Sequence, residues 1–326
     1  MPEKQMKFGE AITEAVAEEM RRDPAVFLMG EDIGPGGNIF KVLLGLYQEF
    51  GPERVRDTPI AEAGFVGMGV GAAMTGMRPV VEIMFGDFIT LAMDQIANQA
   101  AKIRYMSGGQ AKVPLTIRAT MGAGRSSAAQ HSQSLQAWPA HIPGLKVVIP
   151  STPADAKGLL KSAIRDDNPT LVYEDKMMYQ QIGPVPDGEY TIPLGQADIK
   201  RRGTDVTLIA TSSMVHVALN AAGLLEEQDI SAEVVDPRTI VPLDRQTLVD
   251  SVTKTSRAVV IDEGYQSFGV TAEIAAVVYE GAFDYLESPI VRLGAMDVPI
   301  PFSKPLETAT IPSEQDVVDA VAGMLT

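Results

Sequence analysis

Helical and strand-like spacings of apolar residues alternate along the first half of the chain. Within residues 7–22, Phe8, Ile12, Val16 and Met20 recur three or four positions apart, which predicts an amphipathic helix. Short apolar runs at regular intervals predict buried strands. The pattern predicts strands at 26–29, 79–84, 114–120, 145–149 and 169–174, and further helices at 62–77, 88–106 and 151–165.

Residues 180–203 interrupt this alternation, because they are rich in proline and glycine and contain no long periodic element. We interpret them as a linker or a small hairpin. Beyond them the pattern predicts strands at 205–211, 232–236, 258–262 and 290–293, and helices at 214–228, 245–253, 268–280 and 314–325. This alternation favours parallel sheets covered on both faces, with sites at the carboxyl ends of the strands.

Length and charge narrow the class of protein. The chain has 326 residues, 45% of them hydrophobic and 21% charged, which is typical of a folded protein of about two domains. Its 27 basic and 42 acidic side chains give a formal charge of −15. This balance argues against nucleic acid or an anionic membrane surface as the main partner, and it favours a basic protein surface.

Composition also excludes several chemistries. The chain has no cysteine, so disulfides and thiolate catalysis are excluded. The three histidines do not have the spacing of a zinc site. The chain starts with a polar, amphipathic segment without a signal-peptide pattern, and its apolar runs are too short to span a membrane, so we expect a cytoplasmic location.

Glu62 is the first candidate for chemistry, because it precedes a helix rich in glycine and alanine. A carboxylate held near apolar neighbours there can transfer protons with a tuned pKa. The alternative is a carboxylate that only complements the helix dipole. Glu31, Asp32 and Asp87 follow other predicted strands, where they are proton carriers or helix caps.

Two further motifs allow more than one interpretation. The glycines of Gly67-Met68-Gly69-Val70-Gly71 resemble a dinucleotide fingerprint, but Ala72 stands where the third glycine belongs, and they lie inside a predicted helix. Close helix packing explains them more simply. His131 follows a strand and a glycine-bearing loop, so we expect it at the carboxyl edge of the sheet, as a structural or a catalytic residue.

Longer motifs resemble one protein family. They are DTPIAEAGFVGMGVGAAMTGMRPVVEIMF, NQAAKIRYMSGG, AAQHSQS, HIPGLKVVIPSTPADAKGLL, AIRDDNP, DPRTIVPLD, DEGYQSFG and GAMDVPIPFSK. They span nearly the whole chain and are similar to the beta subunit of the thiamine-diphosphate-dependent decarboxylating component of 2-oxo acid and acetoin dehydrogenase complexes. The resemblance implies a transketolase-like fold of two parallel-sheet α/β domains: a pyrimidine-binding domain at 1–180, a linker at 181–203 and a transketolase C-terminal domain at 204–326.

The resemblance also implies roles for single residues. Glu62 matches the family glutamate that contacts the ring nitrogen of the cofactor's aminopyrimidine and so activates thiamine diphosphate. Met84 and Phe88 match the positions that flank this ring. His131 matches a histidine near the reacting carbon, which is implied to handle a proton or to help acyl transfer to lipoamide. Relatives bind potassium through backbone carbonyls, and the matching positions are Leu115, Ala163, Ile164, Asp166 and Asn168.

One absence in the sequence bears on assembly. Thiamine enzymes hold Mg²⁺ and the diphosphate with a Gly-Asp-Gly motif and an asparagine-rich segment, and the chain contains neither. The resemblance therefore implies that an alpha subunit supplies the other half of the site and most of the Mg²⁺ ligands, in an α2β2 heterotetramer with a beta–beta contact. Residues 64–76, the small-residue helix, are our candidate for close packing at a subunit interface.

The implied reaction is decarboxylation of a 2-oxo acid, with pyruvate as the expected substrate because HSQSLQAW resembles the acetoin-type and bacterial pyruvate-type subunits. The acyl group would pass to lipoamide of the acyltransferase core, whose small basic subunit-binding domain would dock on the acidic C-terminal domain. Three alternatives stay open: an acetoin dehydrogenase beta subunit, a non-catalytic docking subunit, and a nucleotide-binding oxidoreductase.

Overall fold

The computed structural model describes residues 2–325, which form two compact units. The first unit contains residues up to Met121 together with Trp138–Leu194, and the second contains Gly122–Ala137 and Gly195 onwards. Each unit is an α/β structure with its own sheet. The loop that carries His131 therefore belongs to the second unit, although residues of the first precede and follow it in the chain.

The strands and helices are numbered in chain order. The strands are β1 (Glu3–Lys7), β2 (Val26–Gly30), β3 (Val55–Asp57), β4 (Arg78–Ile83), β5 (Thr116–Met121), β6 (Lys146–Val148), β7 (Thr170–Asp175), β8 (Ile182–Pro186), β9 (Asp198–Arg201), β10 (Val206–Ala210), β11 (Ala232–Asp236), β12 (Thr239–Val241), β13 (Ala258–Tyr265) and β14 (Val291–Ala295). The helices are α1 (Phe8–Arg22), α2 (Leu46–Phe50), α3 (Glu62–Met74), α4 (Ile89–Met93), α5 (Ala101–Met106), α6 (Ala137–Ala140), α7 (Pro153–Arg165), α8 (Met214–Glu226), α9 (Arg245–Thr255), α10 (Val270–Ala282), α11 (Lys304–Ala309) and α12 (Glu314–Leu325).

The sheet of the first unit contains six of its strands in the order β6-β7-β5-β4-β2-β3, all parallel. Val80 of β4 faces the apolar core that α1 and α7 complete, with Phe8, Ile12 and Leu159 in it. Val81 points to the opposite face, because successive strand residues alternate. There it lies under α3, where a Cβ at Gly69 would approach its Cγ2 to 2.8 Å. Helices thus cover both faces, as the apolar runs predict.

Local sequence signals set the helix ends. The Thr152 hydroxyl accepts a hydrogen bond from the Asp155 N–H at 3.1 Å, and Pro153 occupies the first turn of α7. The Glu10 carboxylate accepts a hydrogen bond from the Lys7 N–H at 3.0 Å and closes the start of α1. These helices bury one face each and therefore match the predicted periodicity.

The predicted linker region carries two strands. Strand β8 pairs antiparallel with β1, and β9 pairs antiparallel with β11. The alternative of a small hairpin is therefore wrong, because the two strands pair with different partners. Each of them is short, and β8 includes two prolines, which are confined to the edges of sheets and conceal the strand in the sequence.

The second unit has a five-stranded sheet in the order β14-β13-β10-β11-β9. Strands β14, β13, β10 and β11 are parallel, and β9 is an antiparallel edge strand. Two apolar cores lie on its two faces. Val206 and Leu208 pack with α8 and α12, whereas Ile209 and Val260 pack with α9 and α10.

The predicted helix at 88–106 is wrong in one respect, because the structure divides it. Wide π-helical turns over Asp94–Ala100 separate α4 from α5. Apolar spacing does not distinguish such turns from α-helix, and they occur often near functional sites. Among residues 2–325, no helix combines the length and the apolar character needed to cross a membrane.

Candidate active site

The carboxyl ends of β4, β2 and β3 lie side by side at one edge of the first sheet. Met84 follows β4, Glu31 follows β2, and Glu62 begins α3 shortly after β3. This edge is where parallel α/β sheets place their sites. Glu62, Met84 and Phe88 therefore follow neighbouring strands at the same edge of the first sheet.

Glu62 is the first residue of α3 and is only 5% exposed. The Ala61 carbonyl accepts hydrogen bonds from the N–H groups of Gly64 and Phe65, at 2.8 and 3.1 Å, and so fixes the first turn. A carboxylate at this position is favoured by the helix dipole. The two interpretations of Glu62 are compatible, because the helix start holds a buried carboxylate in place.

Glu31 is a second buried carboxyl group at this edge, with 8% exposure. Burial raises its pKa to about 7, and the charges of Glu62, Asp32 and Glu82 add to this effect. Its Oε1 accepts no hydrogen bond from any described residue. A buried carboxyl oxygen without a partner, beside a second carboxylate, is a feature of sites that bind a polar group.

Aromatic side chains follow β4 at this edge of the sheet. The Phe85 and Phe88 rings meet edge to face at a centroid distance of 6.2 Å, and Phe85 meets Phe40 at 5.7 Å. Met84 lies between the strand and these rings, and its carbonyl accepts the Thr120 hydroxyl at 2.6 Å. Gly86 is required here, since a Cβ would lie 2.5 Å from the Thr120 carbonyl oxygen. The result is a half-buried apolar wall suited to a flat ring.

A buried ion network lies within the same sheet. Arg118 on β5 donates two hydrogen bonds to Glu174 on β7, at 2.7 and 2.8 Å, and one to Glu82 on β4 at 2.7 Å. Asn38 donates to Glu82 at 2.8 Å, and the Tyr179 hydroxyl donates to Glu174 at 2.9 Å. Burial raises the pKa of Glu82 despite the guanidinium.

Sequence reasoning did not identify this network. Its signal is one charged residue at the centre or end of each of three otherwise uncharged runs, VVEIM, TIRAT and LVYE. Such residues are almost never fully buried unless they are paired, so the runs predict an ion network once the strands are known to be neighbours.

The five predicted cation-binding positions lie at the opposite, amino edge of the sheet. Leu115 precedes β5, and the other four lie between the last turn of α7 and β7. Arg78 donates to the carbonyl oxygens of Ile164 and Asp166, both at 3.1 Å. The carbonyls of Leu115, Ala163 and Asn168 also accept hydrogen bonds, from Thr170 N–H, Asp166 N–H and the Thr170 hydroxyl.

His131 lies half-buried in the second unit, in the loop between β5 and α6. Its N–H donates to the Ala128 carbonyl at 3.3 Å. The residues that follow are buried: Ser132 is 2% exposed and Gln136 is 1% exposed. Gln136 donates to both carboxylate oxygens of Asp262, at 2.9 and 2.8 Å, and this contact anchors the end of the loop.

Within the described range 2–325, no three histidine or acidic side chains come together in a way that could hold a metal ion.

Comparison with known proteins identifies the family. The transketolase pyrimidine-binding domain matches residues 4–181, and the transketolase C-terminal domain matches residues 195–317. The acetoin:2,6-dichlorophenolindophenol oxidoreductase subunit beta of Bacillus subtilis is 48% identical, over 98% of this chain and 97% of that protein. The pyruvate dehydrogenase E1 component subunit beta of Rickettsia felis is 49% identical, over 97% of each chain.

A solved structure agrees with these sequence relatives. A split-gene transketolase, described as an inactive beta4 tetramer, superposes with a TM-score of 0.80 at 26% identity and covers 98% of both chains. The predicted fold class of two α/β domains is confirmed. The chain belongs to the transketolase-like family of beta subunits of thiamine-diphosphate-dependent pyruvate and acetoin dehydrogenase components.

Proposed function

We propose that this chain is the beta subunit of the first component of a pyruvate dehydrogenase complex, and that it supplies the aminopyrimidine half of a thiamine diphosphate site. The observation that carries this proposal is the buried pair Glu62 and Glu31 at the carboxyl edge of the first sheet, beside the Met84–Phe88 wall. Both carboxyl groups are buried, and the charge of Glu62 contributes to the raised pKa of Glu31, so the two lie close enough to interact.

The residues of this edge fit the cofactor. The aminopyrimidine ring is flat, with nitrogen atoms at its rim, and needs apolar faces and a buried hydrogen-bonding carboxylate. Met84 and Phe88 would line the faces, and Glu62 would bind the ring nitrogen. When bound, thiamine diphosphate supplies the carbon nucleophile and the electron sink for decarboxylation.

The carboxyl groups of this chain would manage protons. Glu62 would hold a proton at the ring nitrogen, in a place from which water is largely excluded and where such a hydrogen bond is strong. Glu31, with a pKa of about 7, is about half protonated at pH 7. A protonated carboxyl can donate a hydrogen bond, whereas an ionised one only accepts, so Glu31 can support the charge of Glu62.

His131 would act at a later step. Imidazole is the side chain that most often serves in general acid–base catalysis, and it suits proton transfer to a departing or entering sulfur. We propose that His131 acts during acyl transfer to lipoamide of the acyltransferase core. This core would dock through a basic domain on this acidic chain. The chain carries a formal charge of −15, so such docking gains from charge complementarity.

The chain would need an alpha subunit for activity. Its described residues hold no cluster of metal-binding side chains, and the sequence lacks the Gly-Asp-Gly motif. We therefore assign Mg²⁺ and the diphosphate to the alpha subunit of an α2β2 heterotetramer, in which two beta subunits also meet.

We propose a potassium site at the amino edge of the first sheet. The carbonyls of Ala163, Ile164, Asp166 and Asn168 lie at or just after the last turn of α7, and Leu115 precedes β5 at the same edge; the carboxyl end of a helix favours a cation. Each carbonyl has two lone pairs, so those that bond to Arg78 keep one. Replacing potassium by choline should lower the thermal midpoint of the assembly by several degrees; an unchanged midpoint contradicts the site.

Co-expression with the alpha subunit tests the function. The assembly should decarboxylate pyruvate only with thiamine diphosphate, and Glu62→Gln should lower the rate by about 10²–10⁴-fold, the range for a lost acid–base group. Glu280→Gln is the matched control, since Glu280 is exposed on α10. Full activity of the chain alone, or an unchanged Glu62→Gln enzyme, would refute the proposal.

Acetoin is the second candidate substrate, because the Bacillus subtilis relative is an acetoin enzyme. Assaying both substrates in the same assembly decides between them. A non-catalytic docking subunit is favoured instead if thiamine diphosphate does not raise the thermal midpoint of the assembly.

A further inference from the structure

The loop that carries His131 has an unusual backbone. Ser126 and Ala128 have positive φ angles, 53° and 61°, although neither is glycine. The L configuration disfavours this conformation, and such residues persist only where their surroundings fix them. Something outside the loop must therefore hold it.

Glu307 on α11 is the principal tether. Its carboxylate is fully buried and accepts hydrogen bonds from the Gly124 N–H at 2.8 Å and from the Ser126 N–H at 3.0 and 3.1 Å. Lys304 binds the Gly124 carbonyl at 2.8 Å and lies 3.3 Å from Glu307 Oε2. A buried carboxylate that accepts from backbone N–H groups forms strong, charge-assisted hydrogen bonds.

Two neighbours on β13 hold the loop at its ends. Glu263 accepts from the Ala123 N–H at 2.7 Å, and Asp262 accepts from the Gln136 side chain. Glu307 reaches the strained part at Ser126, two residues before Ala128. The Ala128 carbonyl accepts a hydrogen bond from the backbone N–H of His131. The backbone conformation at Ser126 and Ala128 therefore helps to fix the position of the histidine.

We propose that Glu307 is a positioning residue that sets the orientation of His131 for acyl transfer. The proposal rests on the role proposed above for His131. A simpler role is that Glu307, in the first turn of α11, only complements that helix. The two roles differ in their consequences: a tether controls the mobility of residues 122–137 and one chemical step, whereas a helix cap controls stability alone.

The test uses the alpha–beta assembly with Glu307→Gln, Glu307→Asp, His131→Ala and the exposed control Glu280→Gln. Decarboxylation is measured with dichlorophenolindophenol as electron acceptor, and acyl transfer with a lipoylated domain. Hydrogen exchange is measured on peptides that cover 122–137. In Glu307→Gln we expect exchange there to rise at least tenfold and acyl transfer to fall at least tenfold, with decarboxylation changed less than threefold.

Glu307→Asp keeps the charge on a shorter side chain and should give intermediate changes in loop exchange and acyl transfer. The same comparison is made with this variant if Glu307→Gln does not assemble. Glu280→Gln should match the parent protein. Unchanged exchange in the loop, or faster exchange with full acyl transfer, overturns the proposal and leaves the proposed function intact if His131→Ala is impaired. Full acyl transfer by His131→Ala refutes the role of the histidine and the positioning role with it.

Discussion

At the scale of single residues, the environment decides what each carboxyl group of the edge does. Glu31 and Glu62 are both buried near each other's charge, yet neither is paired with a basic side chain in the hydrogen bonds and ion pairs described for them. Glu82, also buried, is bonded to Arg118 and Asn38. Burial raises the pKa of both groups, but the neighbouring carboxylates add to this effect at Glu31, whereas Arg118 opposes it at Glu82.

Glu31→Gln is expected to stabilise the chain increasingly as pH rises. The unfolded carboxyl titrates near 4.3 and the folded one near 7. The folded form therefore binds the proton more tightly, and stability falls between these values as pH rises. Relative to the parent chain, the free energy of unfolding of Glu31→Gln should gain about 2–3 kcal/mol between pH 5 and 8.

Chemical denaturation at both pH values measures this difference. Glu280→Gln serves as control, because its exposed carboxyl should give the same small effect at each pH. A difference for Glu31→Gln that stays constant with pH would contradict the raised pKa.

At the scale of secondary-structure elements, the Arg118 network joins three neighbouring strands. Arg118→Met removes the guanidinium and leaves Glu82 and Glu174 buried without their cation. Breaking a buried pair in this way costs about 3–5 kcal/mol. The matched control is Arg21→Met: Arg21 pairs with Glu49 on the surface, with 55% of its side chain exposed, and should cost below about 1 kcal/mol.

Denaturant unfolding of both variants checks this prediction. The triple variant Glu82→Gln, Arg118→Met, Glu174→Gln should recover part of the loss, since it leaves no buried charge. Equal losses for Arg118→Met and Arg21→Met would show that the buried network contributes no more than a surface pair.

The same elements show what a sequence can and cannot predict. Buried strands such as Val80–Ile83 in β4 and the amphipathic helix α1 follow from apolar spacing, because burial and period are local. The pairing of β8 with β1 spans the first unit, and the π-helical turns at Asp94–Ala100 depend on packing against α3. Neither leaves a local pattern.

The candidate site also contains features that the sequence predicts and features that it does not. The motif around Glu62 marks that residue, and the sequence leaves Glu31 open as a proton carrier or a helix cap. That the two are neighbours follows only from the placement of β2 between β3 and β4. The tether of the His131 loop joins Ser126 to Glu307, 181 residues apart in the chain. No spacing rule predicts such a contact from a single sequence.

At the scale of the whole molecule, the remaining question is how the chain meets its partners. Helix α3 leaves Gly64, Met68 and Gly71 exposed at helical spacing. A Cβ at Gly71 would meet no atom within 4 Å, whereas one at Gly69 would approach Val81 to 2.8 Å. Gly69 thus serves the fold of the chain, but the fold does not explain Gly71. We propose that close approach of another subunit accounts for it.

Gly71→Leu should therefore separate folding from assembly. Leucine is favoured over glycine in a helix by up to about 1 kcal/mol, so the isolated chain should be as stable as the parent or more so. Binding to the alpha subunit should weaken at least tenfold, measured by sedimentation over a concentration series. Gly223→Leu on α8, where a Cβ would also meet nothing within 4 Å, is the matched control and should leave assembly unchanged. Equal assembly of the two variants would place the subunit contact away from α3 and leave its exposed glycines unexplained.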